Sequence, residues 1–146
     1  MVEIVGNLWD WYEKPNTVIL ITTNGFVKSD GCGVMGRGCA REARDRVPAI
    51  ARLLGALIRK NGNVLNQLTP DVLAFPVKHD WREKADIVLI RQSALALKKL
   101  AMQNTYVTYV LPRPGCGSGQ LNWDDVRPTL RDLPDNVKVI TWENKP

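Results

Sequence analysis

The sequence predicts an α/β layered domain, a largely parallel sheet with helices on both faces. Two observations predict it. Short apolar, β-branched runs alternate with amphipathic stretches of helical spacing, and two glycine-rich loops each follow a strand-like run. The 146 residues, 45% hydrophobic and 24% charged, suit one domain spanning 1–146 with a single substantial core.

Residues 2–5 read as a short first strand. Residues 17–23 form a continuous apolar, β-branched run, as expected of a strand buried on both faces. A polar, glycine-rich loop follows over 24–38, and 39–46 can be helical. Pro48 fits the first turn of a second helix, whose face is Val47, Ile50, Leu54 and Leu57 and whose end is Gly62. Residues 72–77 predict a strand in which Pro76 limits hydrogen bonding. Ile87, Ile90, Ala94, Leu97 and Ala101 recur at spacings of 3 and 4, which predicts a helix over 85–102. Residues 105–111 predict a strong strand and 112–120 a second glycine-rich loop. Asn122 is placed as a helix N-cap, with Asp124 and Asp125 in the first turn and Pro128 starting a new turn or kink. Residues 137–141 are the last strand.

Twenty Lys and Arg against fifteen Asp and Glu leave a net charge of +5, which suits an anionic partner or is merely a basic balance. The apolar runs are far shorter than the ~18 residues that span a bilayer, so no membrane partner is expected. The start, Met-Val-Glu-Ile-Val, has no signal-peptide pattern. Three cysteines (Cys32, Cys39, Cys116) and one histidine fit neither a disulfide frame nor a metal site. A reduced, cytoplasmic compartment and a monomer are the simplest expectations.

Gly31-Cys32-Gly33-Val34-Met35-Gly36 matches a dinucleotide fingerprint, but residues 24–30 separate it from its strand and no acidic strand end follows. Residues 31–37 also approach a P-loop, but Arg37 and Gly38 stand where Lys and Ser/Thr belong. A glycine turn opening a helix still offers free N–H groups to phosphate. Residues 115–119 offer the same again. Two such loops at one sheet edge suit a diphosphate, or are two tight connections.

With these loops in place, the chain resembles a macro domain. The resemblance rests on Gly6-Asn7-Leu8, Asn24, the loop Gly33-Val34-Met35-Gly36-Arg37-Gly38, Phe75-Pro76-Val77-Lys78, and Pro112-Arg113-Pro114-Gly115-Cys116-Gly117 leading to Leu121-Asn122-Trp123. It covers nearly the whole chain and is nearest to the branch of terminal ADP-ribose glycohydrolase and the DNA ADP-ribosyl glycohydrolases. It implies a three-layer α/β/α fold with a mixed, largely parallel sheet that binds ADP-ribose without a cofactor or metal. Gly33, Val34, Met35, Gly36, Arg37 and Gly38, with Pro112, Gly115, Cys116, Gly117, Ser118 and Gly119, would hold the diphosphate and distal ribose. Asn24 would bond that ribose. Asn7 and Leu8 would meet the adenine. Asn7 replaces the family's usual Asp, so a neutral acceptor replaces a charged one. Trp142 is placed to stack on the adenine or to pack as an edge aromatic.

In the related glycohydrolases, a lysine at the place of Lys78 attacks the anomeric carbon of the distal ribose. This requires an unprotonated amine. Otherwise Lys78 is a surface lysine or a phosphate contact. The acidic assistant of terminal ADP-ribose glycohydrolase is replaced by Gly119. His79 and Asp80 are the titratable neighbours of Lys78. Arg37, Arg41, Arg44, Arg46 and Lys28 suit nucleic-acid phosphates or a solvated helix face interleaved with Glu42 and Asp45. Trp9, Trp11 and Tyr12 suit base stacking or packing of the first loop, and Trp81 the wall of the ribose pocket. The expected function is removal of ADP-ribose from a modified macromolecule by Lys78, nucleic acid favoured over a protein carboxylate. A non-catalytic ADP-ribose reader, an ADP-ribose 1″-phosphate phosphatase and, distantly, a nicotinamide oxidoreductase are the rivals.

Overall fold

The computed structural model describes residues 1–142. In chain order it contains β1 (Val2–Val5), a 3-10 turn (Leu8–Asp10), β2 (Thr17–Asn24), α1 (Gly38–Arg46), α2 (Ile50–Asn61), β3 (Asn66–Thr69) and β4 (Val72–Lys78). Then come α3 (Ile87–Gln103), β5 (Thr108–Pro112), α4 (Trp123–Val126), a second 3-10 turn (Arg127–Leu130) and β6 (Val137–Thr141). The strands form one sheet in the order β1-β6-β5-β2-β4-β3. Every neighbouring pair is parallel except β3 with β4. The mixed, largely parallel sheet is therefore as expected.

The period-two alternation of strand side chains divides the apolar residues between two faces. Ile19, Ile21, Val72, Ala74 and Val110 face one way and pack with Ala43 of α1 and Ile50 and Leu54 of α2. Leu20, Leu73, Phe75, Leu111 and Val139 face the other way and pack with Ile90, Ala94 and Leu97 of α3 and with Leu130. Two cores on one sheet make the three-layer α/β/α arrangement. They also explain why β2 reads as a continuous apolar run.

Several expected bounds shift. Pro48 does not open α2. The helix starts at Ile50, and Ala49 before it is left-handed (φ 64°), reversing the chain between α1 and α2. The fifth strand starts at Thr108 rather than 105, because the Val107 N–H closes a turn onto Asn104 O and Tyr106 points into solvent, 72% exposed. The third helix starts two residues late, where Asp86 Oδ1 accepts from Val88 N–H at 2.9 Å. Asn122 does sit at the N-cap of α4, but its side chain makes no capping bond. Pro128 ends α4 and opens the following 3-10 turn, as expected. Pro76 lies in β4 beyond the reach of β3, which pairs only at Val72–Ala74, so its missing N–H faces no partner on that side.

Candidate active-site cleft

Five strands deliver residues to one edge of the sheet. Gly6 follows β1, Thr22, Thr23 and Asn24 end β2, Val77 and Lys78 end β4, Pro112 ends β5, and Ile140, Thr141 and Trp142 close β6. All line a single cleft of about 940 Å³. Carboxyl ends of parallel strands are where ligands bind in such sheets. The two glycine-rich loops form its walls: Val34, Gly36, Arg37 and Gly38 from the first, and Gly115 to Gly119 from the second.

The first loop is shaped by glycine at the point where a helix must begin. Gly38 has φ +59° and nothing within 4 Å of a would-be Cβ, so the backbone lies open toward the cleft. Arg37 in front of it makes no capping bond, which leaves the first N–H groups of α1 without a side-chain acceptor. Not every residue of this loop reaches the cleft. Met35 turns into the core, 3% exposed, and Gly33 packs on Leu54, where a Cβ would come within 2.7 Å of the side chain. Neither Gly33 nor Met35 is among the residues that line the cleft.

Asn24 and Lys78 are brought together by a register shift. Thr23 pairs with Pro76, but Asn24 pairs with Lys78, so β4 carries one extra residue there. The Lys78 carbonyl accepts from Gly25 N–H at 3.1 Å and from Asn63 Nδ2 at 2.9 Å. The Asn24 amide is occupied on both ends. It donates to Val34 O at 3.1 Å and accepts from Phe26 N–H at 3.0 Å, bracing the first glycine loop against β2. Beside it, Thr23 Oγ1 is buried with no protein partner, an unsatisfied hydroxyl in the cleft lining.

Lys78 is 8% exposed, and its Nζ donates to Ser118 O of the second loop at 3.3 Å. Burial, reinforced by the Arg37 guanidinium, lowers its pKa from the usual 10.5. His79 and Asp80 point elsewhere and do not line the cleft. His79 Nε2 meets Asp86 Oδ2 at 2.8 Å, and Asp80 grips Arg82 through both oxygens at 2.9 and 2.7 Å. That grip holds the Asp80 carboxyl down at about 2.

The second loop folds tightly on itself. A Cβ at Gly119 would lie 2.5 Å from Gly115 O, so no side chain fits there without moving backbone. Burial raises the Cys116 thiol to about 11, and its Sγ rests on Pro114 O at 3.5 Å. At neutral pH it is a protonated filler of the turn.

At the other end, Asn7, Leu8, Ile140 and Trp142 line the cleft, with Trp142 49% exposed. The Asn7 side-chain oxygen already accepts from Trp9 N–H at 3.0 Å. Trp9 is buried and stacks edge-on against Tyr12 at 5.4 Å, so these aromatics pack the first turn rather than face the cleft. Of the arginine cluster, Arg37 alone lines the cleft. Arg44 pairs with Asp45 at 3.5 Å and Arg46 lies 4.8 Å above Trp9.

The cleft also holds side chains not foreseen as contacts. Glu42 is its one carboxylate among the described residues, facing five cations (Lys28, Arg37, Lys78, Arg82 and Arg113). Cys39, Glu42 and Arg46 share a face of α1. Cys39 Sγ touches Thr22 and Arg46 covers Trp9, and Glu42 lies between them along that face and lines the cleft. Helical spacing was the available signal for Glu42. Phe26 and Arg82 had none. Among the described residues no three His, Cys, Asp or Glu side chains cluster as metal ligands, and no helix is long and apolar enough to cross a membrane.

No protein-family model matches the chain. The DNA ADP-ribosyl glycohydrolases of Mycobacterium bovis (strain BCG / Pasteur 1173P2) and Mycobacterium tuberculosis (strain ATCC 25618 / H37Rv) are each 24% identical to it over 133 residues, 81% of this chain. The chain spans 38% of the length of these relatives. Among solved structures, the Thermosipho africanus DarTG in complex with ADP-ribose superposes with a TM-score of 0.76 at 19% identity, over 99% of this chain and 43% of that one. The DarG macrodomain of Thermus aquaticus superposes at 0.73 with 22% identity, over 97% of both chains. That of Mycobacterium tuberculosis does so at 0.72 with 21% identity, over 97% of this chain and 99% of the other. Sheet order, layering and these superpositions agree: the chain has the macrodomain fold.

Proposed function

We propose that the chain is an ADP-ribosyl glycohydrolase that releases ADP-ribose from a modified macromolecule, nucleic acid in preference to protein, with Lys78 as nucleophile. The observation that carries this reading is Lys78 itself. It is a buried amine with a lowered pKa, held between the two glycine loops at the floor of a cationic cleft. The names of the mycobacterial relatives and the ADP-ribose in the Thermosipho complex support the same ligand.

In this mechanism the Arg37 to Ala40 backbone and the second loop hold the diphosphate, where helix N–H groups and lysine or arginine charge favour an anion. The second N–H and second lone pair that the Asn24 amide leaves unused meet the distal ribose. The neutral Lys78 amine donates its lone pair to the anomeric carbon. The bond from that carbon to the macromolecule breaks, and its electron pair leaves with the macromolecule, which takes up a proton. Water then attacks the lysine-linked carbon, freeing ADP-ribose and restoring the amine. At the other end Leu8, Ile140 and Trp142 take the adenine, Trp142 by stacking. Glu42 accepts from the exocyclic amine, a charge-assisted bond replacing the one that Asn7, engaged with Trp9, is poor at making.

The test is ADP-ribose release from a modified DNA oligonucleotide and from a glutamate-modified peptide, with wild type and Lys78→Ala in parallel. Release that disappears in the variant supports the lysine mechanism. Release that persists removes it. One observation favours a second reading: with Gly119 sealed against Gly115, the cleft has no acid at the usual place, as suits a non-catalytic reader. Tight ADP-ribose binding with no release from either substrate would establish that instead.

A further inference from the structure

The strand end that carries Lys78 is fastened carbonyl by carbonyl. It lies at the bulge where Asn24 pairs with Lys78 while Thr23 before it pairs with Pro76. Pro76 O accepts from Ser93 Oγ of α3 at 2.8 Å, and Val77 O from the Asp86 N–H at 2.8 Å. Lys78 O accepts twice, from Gly25 N–H at 3.1 Å and from Asn63 Nδ2 at 2.9 Å. Asn63 belongs to the connection between α2 and β3, just past Gly62, whose φ of +90° turns the chain at the helix end. It passes so close to Gly25 that a Cβ there would lie 2.7 Å from its Nδ2 and 2.8 Å from its Cγ. Gly25 has no positive φ that calls for glycine, so the room it leaves is what Asn63 uses. Neither Gly25 nor Asn63 lines the cleft.

We propose that Asn63 is a positioning residue for Lys78, holding by its bond to the Lys78 carbonyl the bulge that aims the amine into the cleft, with Gly25 a glycine to let it reach. This rests on the reading of Lys78 as nucleophile. A bulge re-aims a side chain, and this one sits at the residue whose aim matters. Lys78 is tethered at both ends, its carbonyl by Gly25 and Asn63 and its Nζ by Ser118 O at 3.3 Å. Without Asn63 the carbonyl keeps one of its two donors, and the peptide plane can swing about that bond. The swing shifts the Lys78 Cα, and the amine at the far end of the side chain moves further still. Attack needs the reacting atoms aligned at about 3–3.5 Å, and a misplacement of about 1 Å is costly. Burial is the larger cause of the lowered Lys78 pKa, and an amine that swings toward solvent loses part of it. Binding of ADP-ribose is spared, because Asn63 does not touch the cleft.

The experiment compares wild type, Asn63→Ala, Gly25→Ala, the double variant and Lys78→Ala. It reads kcat and its pH profile for ADP-ribose release, from whichever of the modified oligonucleotide and the modified peptide wild type cuts, and the Kd of free ADP-ribose. Asn63→Ala is expected to lose about tenfold or more in kcat, with its rising limb moved to higher pH and the Kd changed by less than about twofold. Gly25→Ala should do the same from the other side. The double variant should be no worse than either, because both break one contact. Asn61→Ala is the control for a merely structural lesion. It removes the 2.9 Å bond from Asn61 Nδ2 to Asn66 Oδ1 in the same connection, and should lower the urea midpoint while leaving kcat and the limb in place. Should Asn63→Ala fail to fold, Gly25→Ala decides by the same readouts. The proposal is overturned by an unchanged kcat, by a Kd that weakens as much as kcat falls, or by an Asn61→Ala that loses as much kcat. If Lys78→Ala releases ADP-ribose as wild type does, or wild type releases none, the nucleophile reading fails first and the positioning role with it. Release lost in Lys78→Ala but normal in Asn63→Ala removes the positioning role alone.

Discussion

At Lys78, two penalties act on the charged form: burial and the nearby Arg37 guanidinium. Both favour the neutral amine, so the active fraction grows as pH rises. Release of ADP-ribose should therefore increase with pH along a limb whose midpoint lies below the usual lysine value of 10.5. Arg37→Ala removes one penalty, which raises the lysine pKa and moves that limb to higher pH. A pH profile of kcat/KM for the two proteins checks this, and a midpoint moving the other way would contradict it. Glu42 invites a second test at the same scale. Inosine diphosphate ribose lacks the exocyclic amine, so wild type should bind it more weakly than ADP-ribose. Glu42→Ala should erase about a tenfold preference, the worth of one hydrogen bond to a charged group. Titration calorimetry with both ligands reads it directly. Lys78 was visible in the sequence through a motif. Its burial and the closeness of Arg37 were not, because both depend on a loop distant in sequence folding over the strand end.

The elements around the cleft are coupled by close backbone approaches. Gly55 in α2 has no room for a side chain: a Cβ there would lie 1.9 Å from Gly31 O. The helix thus sets where the first glycine loop can rest. Gly55→Ala should cost about 1–3 kcal/mol, the usual penalty of overpacking, and should also weaken ADP-ribose binding by displacing the loop. Urea unfolding and a binding isotherm on the same protein separate the two effects. Unchanged stability would show that the contact relaxes freely. Gly119→Glu, which would reinstate an acid, should destabilise the chain without raising activity, because its Cβ meets the Gly115 backbone. Helix α3 was legible from spacing alone, since its apolar stripe repeats over 17 residues. Strand β3 was not. Its Asn-Gln-Leu-Thr sequence has one apolar residue, and it pairs only at the sheet edge. What holds it is local: Asn61 Nδ2 bonds Asn66 Oδ1 at 2.9 Å, a contact no periodicity reports.

Across the whole molecule, the net charge of +5 acquires a direction. Among the described residues, five cationic side chains line the cleft against one carboxylate. A nucleic-acid substrate should therefore lose affinity with added salt more steeply than free ADP-ribose does, because it releases more counterions. Parallel slopes would argue against phosphate contacts beyond the diphosphate. Saturating ADP-ribose should stabilise the fold by about 2.7 kcal/mol at a hundred times its Kd, seen as a rise in Tm. The sequence by itself determined the layered class, the strand ends that line the cleft and the two glycine loops, because period-two and period-3.6 patterns and turn residues are local properties. It could not reveal that Met35 and Gly33 turn into the core, that the Asn24 amide is already occupied, that His79 faces Asp86, or that Phe26 and Arg82 stand together. Those follow from how strands far apart in the chain pair and how loops settle on helices. Only the closed tertiary structure decides which neighbours compete for each hydrogen bond and each volume of space.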